Sequence, residues 1–122
     1  MNNTLVPDTN AIIYFLGANP GIIPLLDQKN HYISVISEIE VLGFDFKTMA
    51  DLYAVKRYLR SVKIIPINNE IKEIAIRIKR EYKTKVGDAI VSATAIYFDM
   101  PFISADRNFR KIRELKLVLF SP

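Results

Sequence analysis

Short apolar runs alternate along this chain with segments whose apolar residues recur every three or four positions. Leu5 to Pro7 reads as a first strand, and Ile12, Ile13 and Leu16 follow at helical spacing, with Asp8 or Thr9 as the cap and Gly17 as the stop. Pro7 has no N–H for a ladder, so that strand ends there or lies at an edge. Asn19-Pro20 restarts a helix through Ile22, Ile23, Leu25 and Leu26, with Asn19 as N-cap and Pro20 at the first helical position. His31 to Ile36 is the second strand, and Ser37-Glu38-Ile39-Glu40 opens a short helix that stops near Gly43. A longer helix from Phe46 to Ser61 would bury Met49, Leu52, Tyr53 and Leu59, and Val62 to Pro66 is the third strand. Asn68 or Asn69 caps the clearest amphipathic helix, with Ile71, Ile74, Ala75, Ile78 and Tyr82 on one face. Gly87-Asp88 begins a helix, Ala89 to Asp99, that is apolar or small on nearly all sides, as buried helices are. Phe102 to Ser104 is a fourth strand, Arg107 to Leu115 a short basic helix and Lys116 to Phe120 a last strand. Strands alternating with helices predict a three-layer α/β/α sandwich around a mainly parallel central sheet. At 122 residues the chain reads as one domain, residues 1–122.

Composition narrows the chemistry. There are no cysteines, which removes disulfides, thiolate nucleophiles and Cys-type zinc sites. The one histidine, His31, lies in a strand-like run and is poorly placed for a Ser-His-Asp triad. No apolar run approaches the roughly 20 residues of a membrane span, and Met1-Asn2-Asn3-Thr4 lacks the basic start of a signal peptide. The expectation is a soluble cytoplasmic protein with no membrane partner. The net charge of +4 hides an asymmetry: residues 1–43 hold one basic residue and four acids, residues 44–122 sixteen basic residues and nine acids. The basic excess argues for a polyanionic partner.

Four carboxylates are carried toward one place. Asp8 follows the first strand, Asp106 follows the fourth, Glu40 lies on the helix after the second, and Asp88 opens the buried helix. Parallel strand ends of one polarity share a rim, so the three strand-linked acids meet there, and Asp88 joins them if its helix starts on that side. Each also has a plain structural reading: Asp is a favoured N-cap, and Ser37 with Glu40 fits a capping box. Taken together, four carboxylates on one rim repel unless a cation is present or their pKa values rise. Mg²⁺ or Mn²⁺, one ion or two, suits such oxygen ligands. An acid cluster without a usable Cys or His fits metal-assisted hydrolysis. Residues 56–85 hold ten Lys and Arg against three acids, and Arg107, Arg110, Lys111 and Arg113 follow Asp106. Basic residues beside an acidic site suit a nucleic-acid backbone; Lys79, Arg80, Lys83, Lys85, Arg107 and Arg110 are the candidate RNA contacts, with a solvated helix face as the competing reading for part of them.

Val6-Pro7-Asp8-Thr9-Asn10, Ser34 to Gly43, Gly87 to Ala95 and Ile103 to Phe109 resemble, in order and spacing, the four motifs of the PIN domain, and within that family the small VapC-type toxins. The resemblance spans nearly the whole chain. It implies a Mg²⁺- or Mn²⁺-dependent endoribonuclease, the toxin of a toxin–antitoxin pair, with transfer RNA as the family-level substrate. It implies a homodimer neutralised by a cognate antitoxin. Carried over by position, Asp8, Glu40, Asp88 and Asp106 are the acidic quartet, Asp8 and Asp88 the foremost metal ligands, and Thr9, Asn10 and Ser104 support them. Ser37 and Val41 stand where Thr and Leu are common, and Pro7 before the first acid is unusual. Two other readings stay open. One is a non-catalytic PIN-type module that binds RNA or protein. The other is a phospho-acceptor receiver domain, which would need paired acids after the first strand and an acid after the third; Asp8 is followed by Thr9-Asn10, and the third strand ends Ile65-Pro66-Ile67.

Overall fold

The computed structural model describes residues 3–122; Met1 and Asn2, where the signal-peptide reading begins, lie outside the described residues. The chain runs β1 (Thr4–Pro7), α1 (Thr9–Leu16), α2 (Ile23–Leu26), β2 (Asn30–Ser34), α3 (Val35–Leu42), α4 (Met49–Arg60), β3 (Lys63–Ile65), α5 (Asn69–Tyr82), α6 (Val86–Phe98), β4 (Phe102–Ser104), a 3-10 turn (Arg107–Lys111) and β5 (Leu117–Leu119). All strand pairs are parallel, in the order β3-β2-β1-β4-β5. Pro7 is therefore the last residue of a central strand rather than part of an edge, and Asp8 N–H takes up the ladder by donating to Ile103 O at 3.0 Å.

Strand periodicity sorts the core into two faces. Leu5, Ile33, Ile64, Ile103 and Val118 pack toward α1–α4, in two clusters completed by Ala11, Ile12, Ile22, Leu26, Val41, Val55 and Tyr58. Val6, Tyr32, Ile65, Phe102 and Leu117 pack toward α5 and α6, against Ile71, Ala75, Ile78 and the Ala89–Ala95 stretch. The result is the predicted three-layer α/β/α sandwich. Among the described residues, no helix is long and apolar enough to cross a membrane.

Several boundaries differ from the sequence expectation. β2 ends at Ser34, because the Ser34 hydroxyl accepts from Ile36 N–H and starts α3 there. Asn19 caps only a turn, through Gly21 N–H, and α2 is one turn beginning at Ile23, with Pro24 in its first positions. α4 starts at Met49 with Thr48 as its cap, and it buries Val55 and Tyr58. Met49 and Tyr53, expected inside, are 60% and 55% exposed. The basic helix after β4 shortens to the 3-10 turn, and β3 and β5 are each three residues long. α5 is capped by Asn68 and buries the expected face.

His31 is a core residue. Its Nε2 lies 2.7 Å from Leu26 O, which can only accept, so that nitrogen carries the proton; Nδ1 accepts from the Tyr58 hydroxyl at 2.7 Å. Burial lowers its pKa. Tyr58→Phe removes the donor from a buried nitrogen and should cost about 1–3 kcal/mol in urea unfolding; an unchanged midpoint would show that His31 does not depend on it. Gly21 passes so close to the C-terminal segment that a Cβ would sit 2.0 Å from Ser121 O. Gly21→Ala should lose about 1–3 kcal/mol by overpacking, measured the same way.

Candidate active site at the carboxyl ends of the strands

The chain winds outward from β1 through β2 to β3, then crosses back to place β4 on the other side of β1. The crevice between β1 and β4 is thus the point where strand order reverses, the usual ligand position in an open parallel sheet. Asp8 follows β1 directly, and Asp106 follows β4 by two residues.

Asp8 is buried, 7% exposed, and both of its oxygens are engaged. Oδ1 caps α1 by accepting from Ala11 N–H at 2.8 Å, and Oδ2 accepts from the Ser104 hydroxyl at 2.5 Å. Ser104 Oγ in turn accepts from Asp106 N–H at 2.9 Å, and Asp106 Oδ1 caps the 3-10 turn through Asn108 N–H. The end of β4 therefore clamps the acid of β1 and orients the loop that carries its own acid.

The capping explanation holds for Asp8 and Asp106 and fails for the other two acids. Because α3 begins at Val35, Ser37 lies inside the helix, and no capping box forms with Glu40. Instead Glu40 Oε1 accepts from the Thr9 hydroxyl at 2.5 Å. Thr9 Oγ1 also lies 3.0 Å from the fully buried Ser37 Oγ. Thr9 has one hydroxyl proton; with that proton given to Glu40, the Ser37 hydroxyl is the donor to Thr9. Asp88 sits in the first turn of α6, whose N-cap position is Lys85, and no side chain caps that helix.

The structure brings Asp8, Glu40, Asp88 and Asp106 onto the walls of one cavity of about 250 Å³, with Thr9, Asn10 and Gly87 beside them. Ile13, Phe44, Val91 and Phe109 complete the lining. In the sequence Ile13 reads as a core residue by its helical spacing and Phe44 falls between expected elements; Val91 and Phe109, inside the last two motifs, carry the usable signal. Burial raises the pKa of Asp8 above the carboxylate value, opposed by its two hydrogen bonds and reinforced by the charges of Asp106 and Asp88. Asp88 is raised by burial and by Asp106 and Glu40, with Lys85 and Lys111 opposing. Among the described residues, no three His, Cys, Asp or Glu side chains are grouped so that they could hold a metal ion. The donor set still fits a hard cation: Mg²⁺ is commonly bound through one or two carboxylates and keeps several waters, so a closed protein cage is not required.

The basic candidates divide. Lys83 and Lys85, with Lys111, line a smaller cavity of about 160 Å³ that shares Asp88 and Phe109 with the acidic one. Lys79, Arg80, Arg107 and Arg110 are exposed and line neither of these two cavities. Lys79 Nζ donates to Thr84 O at 3.3 Å.

A raised carboxyl pKa means that the folded protein binds the proton more tightly than the unfolded chain, so stability falls as pH rises through the raised value and the penalty is complete at neutral pH. Asp8→Asn removes that penalty while retaining an oxygen for Ala11 N–H. Its melting temperature should exceed that of the wild type at pH 7, with the gap closing as pH is lowered toward 4. A gap that stays constant with pH would contradict the burial effect.

Comparison with known proteins agrees with this geometry. The family profile of the PIN domain matches residues 5–115. A sequence search against curated proteins finds no match. Among solved structures, the chain is similar to a chain of a toxin-antitoxin complex from Klebsiella pneumoniae, at 26% identity and a TM-score of 0.80, covering 93% of this chain and 95% of that one. It is also similar to a chain of VapBC2 from Rickettsia felis bound to a promoter DNA fragment, at 17% identity and a TM-score of 0.81, covering 97% and 99%. A third likeness is to FitAcB from Neisseria gonorrhoeae, at 18% identity and a TM-score of 0.75, covering 93% and 95%. With the profile match extending over most of its length, the chain belongs to the PIN domain family.

Proposed function

We propose that this protein is a VapC-type toxin that cleaves RNA phosphodiester bonds with the help of Mg²⁺ or Mn²⁺. The observation that carries this reading is the convergence of four carboxylates from separate elements on one cavity, two of them neither needed nor used as helix caps. In this reading residues 1–122 form one domain, which acts as a homodimer and is held inactive by a cognate antitoxin. Similarity to chains of toxin–antitoxin complexes supports the partner.

Asp8 and Asp88 are the residues that would hold the ion, with Glu40 and Asp106 adding charge and orienting water. Each Asp8 oxygen keeps one lone pair free, because each already accepts one hydrogen bond. Ser104 and Ala11 N–H fix the direction of those lone pairs. Thr9, held by Ser37, fixes Glu40 so that its second oxygen faces the cavity side occupied by Gly87. What a bound divalent ion supplies is a lower pKa for an attacking water and stabilisation of charge on the attacked phosphate. Lys83, Lys85 and Lys111 place positive charge where the strand's phosphates pass. Transfer RNA is the substrate class proposed first.

The test is incubation of purified protein, free of antitoxin, with total RNA and Mn²⁺ or Mg²⁺, mapping new 5′ ends. Asp8→Asn and Asp88→Asn should each lose at least about 100-fold of the cleavage rate while remaining folded. Full activity in excess EDTA overturns the reading. A non-catalytic binding module is the second reading, favoured by the absence of a three-acid group among the described residues; metal-independent RNA binding without cleavage would establish it.

A further inference from the structure

The smaller cavity beside the acidic one has a composition of its own. Lys83, Lys85 and Lys111 surround it, Asn108 adds an amide, and Thr84 forms part of its wall. Thr84 is buried, and its hydroxyl is the one buried side-chain polar atom among the described residues without a hydrogen-bond partner in the protein. Buried hydroxyls are ordinarily satisfied, so an orphan in the wall of a lysine-rich cavity points to a ligand acceptor. Lys83 ends α5 in the left-handed region, φ 57° and ψ 42°, a conformation uncommon for a residue with a Cβ. Lys83 and Lys85 remain exposed on either side of the buried Thr84.

Three ammonium groups, an amide and an unpartnered hydroxyl on one cavity suit a phosphate group. The one anionic lining group, Asp88, is the wall shared with the acidic cavity, and Lys85 and Lys111 already act on its charge. We propose that this cavity is a phosphate subsite, holding a phosphate of the RNA strand next to the one that lies over the acidic cavity. The inference rests on the RNA-cleaving reading and deepens it: the strand is fixed by one phosphate in the basic cavity while its neighbour is presented to the acids.

The experiment measures binding separately from chemistry. A fluorescent single-stranded oligoribonucleotide is titrated with the folded protein in EDTA, where cleavage is suppressed, at several salt concentrations. Thr84→Val replaces the hydroxyl with a methyl of similar shape. It should weaken binding at least threefold without lowering the melting temperature, because in the free protein the hydroxyl has no bond to lose. Lys83→Gln with Lys111→Gln should weaken binding at least tenfold and reduce the log–log salt slope by about 0.7, the value for one single-strand phosphate contact. Lys29→Gln with Lys116→Gln, an equal charge change elsewhere, should shift neither by as much. Unchanged affinity in both the Thr84 and the lysine variants, with wild-type protein still cleaving RNA in Mn²⁺, overturns the subsite and leaves the cleavage reading standing. Wild-type protein that neither binds nor cleaves RNA overturns both. In a parallel arm, inorganic phosphate is titrated against the amide NMR signals of Thr84, Val86 and Asn108. Shifts there, alongside the weakened RNA binding, support the assignment. Shifts without any effect of the variants on RNA binding identify a free-phosphate site and overturn the RNA assignment.

Discussion

Asp8 is a carboxylate held almost out of water at the centre of the sheet, and the surrounding structure is arranged to tolerate it. Burying such a group is costly unless its oxygens are engaged. One oxygen is engaged locally, by the start of α1, and the other by Ser104 at the end of β4. The second bond requires β1 and β4 to be neighbours, although β2, β3 and six helices intervene in sequence. Two hydrogen bonds do not cancel the effect of burial, since the Asp8 pKa stays above its ordinary value with Asp106 and Asp88 nearby. The crevice is therefore pre-charged, and a cation entering it meets carboxylates whose mutual repulsion it relieves.

The other two acids are positioned by different means. Glu40 is reached across the helix pair: Ser37 on α3 sets Thr9 on α1, and Thr9 sets Glu40 back on α3. Asp88 rides on the first turn of α6, whose Ala89 to Ala95 stretch is buried behind the sheet. Each face of the sandwich thus contributes acids to a cavity lying at the sheet's end. Basic residues meet the acids mainly along one side, where the α5–α6 junction approaches the turn after β4.

Much of this was legible beforehand. Strand faces follow from alternation, as with Leu5 against Val6 or Ile64 against Ile65, and α5 announces its buried stripe at 3.6-residue spacing. Asp8 as the cap of α1 was readable from its position between an apolar run and a helical one. Other features depend on contacts that no local window contains. Val35 and Ile36 look like strand residues because they are β-branched and apolar, yet the Ser34 hydroxyl starts a helix beneath them. Ser37 and Glu40 have capping-box spacing, but the helix begins three residues too early for it, and their hydroxyl–carboxylate chemistry is directed at Thr9 instead. Met49 and Tyr53 are apolar enough for a core, and only the phase of α4 against the sheet leaves them outside. Of the site's apolar walls, Ile13 was hidden for the same reason: a residue that lines a cavity and one that fills a core look identical until the packing is known.

The bond between Ser104 and Asp8 spans 96 positions of sequence. Synthesis delivers the acid 96 residues before its clamp. Until β4 has emerged and slotted beside β1, Asp8 has only its own helix to hold it, and the crevice has one wall. A partly made chain, or one cut short before residue 104, can carry three of the four acids and most of both helical layers and still lack a shaped pocket. The geometry of the site is in this sense a proofreading of length: it exists only in molecules that have been completed through their fourth strand.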